Sequence, residues 1–265
     1  MKKKITIGIF DSGIGGLTVL KSFKKILPSE NYVYFGDTAR VPYGSKSETT
    51  IQIFASEIID FLIEQKANII VVACNTVSSL ALPYLQKKYQ SVPIFGVVKP
   101  GSREALRKSK KQQIGVIGTV ATVNSHNYTN TIKAYNKKAL VYEQACPLFV
   151  PLVENGWANN EVALLTAQKY LTPLLKKNID TLVLGCTHYP VLKKIIKKII
   201  GKDINIVDSA TAIAKEVKDY LVENKTLSTS KKTKTQFWLS DKSIYFIKAA
   251  KYILNENITI KVKKL

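Results

Sequence analysis

Two of the three cysteines in this chain share a local setting. Val71, Val72 and Ala73 end an apolar run, Cys74 follows, and Asn75-Thr76 open an amphipathic stretch. The run TLVLG likewise leads into Cys186 and Thr187-His188, with Pro190 where a first helical turn tolerates proline. Each thiol therefore stands at a strand-to-helix junction, where the positive end of a helix dipole favours thiolate. A lone free cysteine is often only a small core residue, so either setting alone leaves packing as an open reading. Two matched thiols suit stereoinversion at an acidic carbon. One thiolate takes a proton from one face, and the other thiol delivers a proton to the opposite face. Thiols ionise within the range that general acid/base catalysis requires, and carbanion character needs aimed donors and exclusion of water.

The neighbouring residues extend this reading. His188, one of two histidines, is either structural or a group that orients or exchanges protons near Cys186. No further ligand set accompanies it and no Cys-x-x-Cys is present, so a metal centre, a disulfide scaffold and a thiol redox protein are not expected. Asp11 and Ser12 end the first apolar run in GIFDSGIGGLTVL. Asp11 suits a substrate ammonium or a neighbouring thiol, and equally an Asx turn that caps a helix. The run Gly13-x-Gly15-Gly16 is not the G-x-G-x-x-G of a dinucleotide site. Pro42-Tyr43-Gly44-Ser45 reads as a tight polar loop, with Ser45 and Glu48 matching a capping box and backbone donors suited to a carboxylate. Glu154 is either a surface charge or a carboxylate at a cleft edge, and Cys146, before Pro147, reads as structural.

The elements that must hold these residues alternate along the chain. Strand-like runs fall at 5–10, 32–36, 68–73, 93–98, 113–118, 139–144, 181–185, 204–207 and 236–240. Helical stretches fall near 15–27, 46–66, 76–89, 101–110, 122–137, 160–177, 190–200 and 209–224, with a further helix after the last strand. Strand-then-helix repetition predicts α/β architecture with parallel sheets covered on both faces. Asp11 and Cys74 in the first half answer Thr119 and Cys186 in the second, which predicts an internal duplication with its ligand site at carboxyl ends of strands.

Composition sets the class. Hydrophobic residues are 46% and charged residues 22%, the balance of a globular chain. No apolar run is long enough to span a bilayer, and the stretch after Met1-Lys2-Lys3-Lys4 is too short for a signal peptide, so a cytoplasmic protein without membrane partners is expected. The formal charge of +21 invites a nucleic-acid reading, but only Arg40, Arg103 and Arg107 among 40 basic residues are arginines. Phosphate and base readers favour the arginine fork. The lysines read instead as a solvated surface, with the drawing in of an anionic substrate as a separate, lesser alternative. The lysine-rich segment from Lys225 to Lys234 is expected as an exposed loop.

FDSGIGGLTVL, GDTARVPYGSKS, ACNTVSSLAL, GVIGTVATVNS, CPLFVPLVENG, LGCTHYPVL and IVDSA, in order across residues 5–213, together resemble the glutamate racemases of the aspartate/glutamate racemase family. The resemblance implies racemisation of L- and D-glutamate without cofactor or metal, supplying D-glutamate for bacterial peptidoglycan. It implies Cys74 and Cys186 as the acid/base pair, Asp11 and His188 as their assistants, and Glu154 as a further carboxylate. Asp11, Ser12, Pro42, Tyr43, Gly44, Ser45, Asn75, Thr76, Thr119, Thr187 and His188 would surround the substrate. The implied fold is two similar doubly wound domains facing each other across a cleft: residues 1–98 rejoined by 208–265, and residues 99–207. A homodimer is also implied. Lys99 in GVVKPG and Val120-Ala121 depart from familiar forms of the motifs, which bears on subunit packing and regulation rather than on the chemistry. The nearest rival is a two-cysteine enzyme acting on aspartate or a hydantoin.

Overall fold

A computed structural model describes residues 4–230 and 232–265. Met1 to Lys3 of the basic start and Lys231 of the lysine-rich segment lie outside the described residues. The short apolar runs form β1 (Thr6–Asp11), β2 (Asn31–Gly36), β3 (Ile69–Val72), β4 (Ile94–Gly96), β5 (Gln113–Gly118), β6 (Leu140–Ala145), β7 (Thr181–Gly185), β8 (Asn205–Asp208), β9 (Thr235–Leu239) and β10 (Ile260–Val262). The helices are α1 (Gly16–Ile26), α2 (Glu48–Glu64), α3 (Asn75–Leu80), α4 (Leu82–Lys88), α5 (Val98–Lys108), α6 (Val120–Asn124), α7 (Asn127–Tyr135), α8 (Phe149–Glu154), α9 (Glu161–Leu175), α10 (Lys193–Ile200), α11 (Ser209–Glu223) and α12 (Ile244–Leu254). Two 3₁₀ turns, Tyr43–Ser45 and Tyr189–Leu192, complete the set.

The strands pair in parallel, so each return passes through a helix packed on a sheet face. The first sheet has the order β10-β9-β2-β1-β3-β4, and the second β6-β5-β7-β8. The inner order β2-β1-β3-β4 is thus repeated as β6-β5-β7-β8, which is the expected duplication. β9 and β10 extend the first sheet only. At its centre Ile7, Ile9 and Phe10 are wholly buried, because α1 covers one face and α2 the other. β3 and β7 are equivalent strands in the two sheets, and Cys74 and Cys186 follow them.

Several expected boundaries move, each for a local reason. The helix expected over 76–89 is two, broken at Ala81, because Pro83 in the first turn of α4 has no N–H to continue α3. The helix expected over 122–137 breaks at His126, whose φ of 51° is left-handed. The strand expected over 93–98 ends at Gly96, and α5 starts at Val98. The lysine-rich segment is less exposed than expected: Leu227 packs on the core, and the Ser228 amide donates to Glu30 at 2.7 Å. α8 and β10 have no counterpart in the periodicity.

Candidate functional site

Ala73 carries the chain out of β3, and Cys74 takes the N-cap position of α3. Gly185 ends β7, and Cys186 follows it. Both thiols are nearly buried, at 4% and 6% exposure, and both line one cavity of about 90 Å³. Ser12, Pro42, Tyr43, Gly44, Ser45, Asn75, Thr76, Thr119, Thr187 and His188 share that lining. Two other expected residues, Asp11 and Glu154, stand behind it. Val120, Pro147 and Val150 also line the cavity and are not among the site residues read from the sequence. They are apolar and lie inside the quoted motifs, so only their motif membership pointed to them.

Asp11 is wholly buried where β1 ends. Its Oδ2 accepts the Gly13 and Gly16 amides at 3.1 and 3.0 Å, and its Oδ1 accepts the Thr187 hydroxyl at 3.0 Å. The Asx turn and the functional reading therefore coexist in one carboxylate, which ties the β1 loop to the loop after β7. Burial raises its pKa, against the opposing pull of His188 and these donors. The two loops meet closely: a Cβ on Gly15 would lie 2.4 Å from the Thr187 hydroxyl.

The surroundings of the thiols differ. Burial pushes the Cys74 thiol up to about 12, and the Asp11 carboxylate adds to the rise. The Val77 amide of α3 and the Ser12 hydroxyl, 3.9 Å from the sulfur, pull the other way without prevailing. The helix-dipole expectation of a ready thiolate thus fails at Cys74, because desolvation is the larger effect. Cys186 has instead a partner in His188, whose Nδ1 is 3.7 Å from the sulfur. On its other side, His188 Nε2 contacts Glu154 Oε1 at 2.6 Å. Burial pulls His188 down, but Cys186 and Glu154 together hold it well above its ordinary value. Glu154 is held low despite its own burial, by His188 and by the Ile14 amide. A carboxylate–imidazolium–sulfur line serves one thiol, and a buried aspartate stands behind the other.

The mouth is shaped by hydroxyls and a turn. Thr119 caps α6 by accepting the Thr122 amide at 3.2 Å, and its hydroxyl meets that of Thr76 at 3.0 Å. The 3₁₀ turn Tyr43–Ser45 closes one side, and a Cβ on Gly44 would lie 2.6 Å from the Thr119 Cβ. The Tyr43 hydroxyl donates to Asp37, which also pairs with Arg40 at 2.6 Å. The capping box read at Ser45 is absent: α2 starts at Glu48 and its cap is Ser47, which accepts the Thr50 amide at 3.2 Å. Ser45 belongs to the turn and faces the cavity.

Such a cavity has room for about six to nine water-sized positions, comparable to the ten or so non-hydrogen atoms of an amino diacid. Hydroxyls and amides of Ser12, Asn75, Thr76, Thr119 and Thr187 share its wall with the apolar Val120, Pro147 and Val150, and the polar groups suit the charged ends of a small zwitterion with a second carboxylate. Among the described residues no group of three or more His, Cys, Asp or Glu is arranged to hold a metal, and no helix is long and apolar enough to cross a membrane.

The family described as Asp/Glu/Hydantoin racemase matches residues 7–217. A glutamate racemase of Thermoanaerobacter sp. (strain X514) is 46% identical over 252 residues, covering 95% of this chain and 94% of the relative. The solved glutamate racemase isoform RacE1 of Bacillus anthracis superposes with a TM-score of 0.95 at 37% identity, covering 100% of this chain and 99% of the other. The Francisella tularensis glutamate racemase, solved in complex with D-glutamate, gives 0.91 at 38% identity, covering 99% and 97%.

Proposed function

The chain belongs to the Asp/Glu/Hydantoin racemase family, and from that membership we propose that it interconverts L- and D-glutamate with no cofactor, using Cys74 and Cys186 as opposed acid/base groups. The observation that carries this reading is the pair of thiols at equivalent strand ends of a duplicated fold, lining one cavity. In one direction a Cys186 thiolate, beside the His188 imidazolium, takes the α-proton while the Cys74 thiol donates from the other face. In the reverse direction the roles exchange. Asp11, through Thr187, and Glu154, through His188, hold these groups in position and set their charge. Hydroxyls and amides of Ser12, Asn75, Thr76, Thr119 and Thr187 take the polar head of the substrate, and the turn from Pro42 to Ser45 takes the distal carboxylate.

On this reading the halves are residues 1–98 with 208–265, and residues 99–207. The protein works as a cytoplasmic homodimer, and its D-glutamate enters peptidoglycan precursors. The likeness to curated glutamate racemases supports glutamate over aspartate or a hydantoin as substrate. Circular dichroism of the chelator-treated protein, started separately from L- and D-glutamate, tests the reading. Racemisation from both directions, lowered about a hundredfold or more in both Cys74→Ser and Cys186→Ser, is expected. Full activity after loss of either thiol would remove the two-base mechanism, and activity confined to another amino acid would move the substrate.

A further inference from the structure

Asn75 opens α3 beside Cys74 and lines the cavity, and its Oδ1 accepts the Tyr128 hydroxyl at 2.6 Å. Tyr128 stands on α7, among the elements of the second sheet, and is wholly buried. A phenol has one proton to give. With that proton on Asn75, the phenolic oxygen is left as acceptor, so the contact of 3.3 Å to the Ser209 hydroxyl is donated by Ser209. Burial holds the phenol above its ordinary pKa, so it remains a donor wherever the protein is folded. Ser209 begins α11, where the chain returns to the first sheet, and it reaches this point because Gly101 of α5 has no side chain. A Cβ there would lie 2.4 Å from the Ser209 hydroxyl oxygen. The two crossings between the sheets are thus joined through one phenol to a residue of the cavity wall.

The direction of this relay and the direction of the amide go together. With Oδ1 turned to Tyr128, the NH₂ end of Asn75 is left over, and it donates to no protein group among the described residues. We propose that Tyr128 is a positioning residue that holds the Asn75 amide with its NH₂ end presented to a substrate carboxylate. The oxygen and nitrogen ends of an amide are nearly the same size, so the backbone and packing alone do not choose between them. Without the phenolic proton, the amide turns over for part of the time and sets a carbonyl oxygen against an anion. Loss of the hydroxyl therefore weakens ground-state and transition-state binding alike. This inference rests on the reading of the cavity as a glutamate site.

Steady-state kinetics of Tyr128→Phe, Asn75→Ala and the double variant, from both enantiomers, test it alongside thermal melts. Tyr128→Phe is expected to raise KM about tenfold from either side with kcat kept within about twofold, as for one lost charge-assisted hydrogen bond. The double variant is expected to be no worse than Asn75→Ala alone, since the phenol acts only through that amide. Ser209→Ala, which keeps the phenol but frees its rotor, is expected to raise KM about threefold, and it serves if Tyr128→Phe fails to fold. A lowered melting temperature with unchanged KM, or fully additive effects in the double variant, overturns the inference while leaving the proposed function standing. A wild-type protein inactive on glutamate overturns both.

Discussion

At the scale of single residues, the two thiols are the same chemical group in unlike environments. Cys74 is held up to about 12 by burial and Asp11, so at ordinary pH it rests as a neutral thiol. Its alkylation by iodoacetamide in the substrate-free protein, mapped by mass spectrometry, is expected to rise about tenfold per pH unit from pH 7 to 10, following the thiolate fraction. A rate that levels off below pH 9 would contradict the burial argument. Glu154 and His188 make a second test. Glu154 is depressed, so its contribution to stability is present above the ordinary value of 4.5 and fades as pH falls through its folded value. His188 is raised, so its contribution is present below 6.5 and fades as pH climbs through its folded value. Glu154→Gln is therefore expected to lower the melting temperature most between those limits, and to lower the His188 pKa in a histidine-resolved NMR titration. The identities of these residues were legible in the sequence, because cysteines after apolar runs are rare and a histidine lay two positions from one of them. The difference between the thiols was not legible, since it depends on Asp11 and Glu154 arriving from elements distant in the chain.

At the scale of elements, caps and close approaches separate structure from binding. Ser47 caps α2 while Ser45 faces the cavity, although a capping-box pattern favours Ser45 with Glu48. Ser47→Ala is expected to cost about 1 kcal/mol, or about 2–4 °C in melting temperature, with KM unchanged. Ser45→Ala is expected to raise KM and leave the melt in place. The reverse pattern would restore the cap to Ser45. Gly15→Ala brings a methyl group against Thr187 from across the cleft and is expected to cut kcat/KM at least tenfold, read by the same dichroism assay. Strands β1, β5 and β7 could be read from their apolar runs almost to the residue, because buried parallel strands carry an unbroken signal. The break at Ala81 was also available, through Pro83, but the amphipathic pattern on either side masked it. α8, a single turn or two between Pro147 and Gly156, is too short to show any period, yet it delivers Glu154 to His188.

At the scale of the whole molecule, a charge of +21 spread over lysines surrounds a cavity proposed to take an anionic amino acid. The summed field favours encounter with anions, and mobile salt screens it within about 8–10 Å. Accordingly kcat/KM for glutamate is expected to fall several-fold between low and high ionic strength, with kcat nearly constant; an unchanged kcat/KM would reduce the lysines to a solubility role. Duplication was legible from the matched positions of Asp11, Cys74, Thr119 and Cys186. The extension of one sheet by β9 and β10 was only half legible, because three residues of β10 among exposed lysines look like any tail.

The hydroxyl contact of 3.0 Å between Thr76 and Thr119 bridges the two sheets directly over the cavity. That contact and the seat of Gly44 on Thr119 close one side of the cavity. Where product release parts these contacts, the catalytic rate inherits a share of the surrounding liquid's friction. Racemisation at saturation should slow in proportion to added sucrose or glycerol, and lose part of that viscosity dependence in Thr119→Val, which removes the hydroxyl contact and keeps the seat of Gly44.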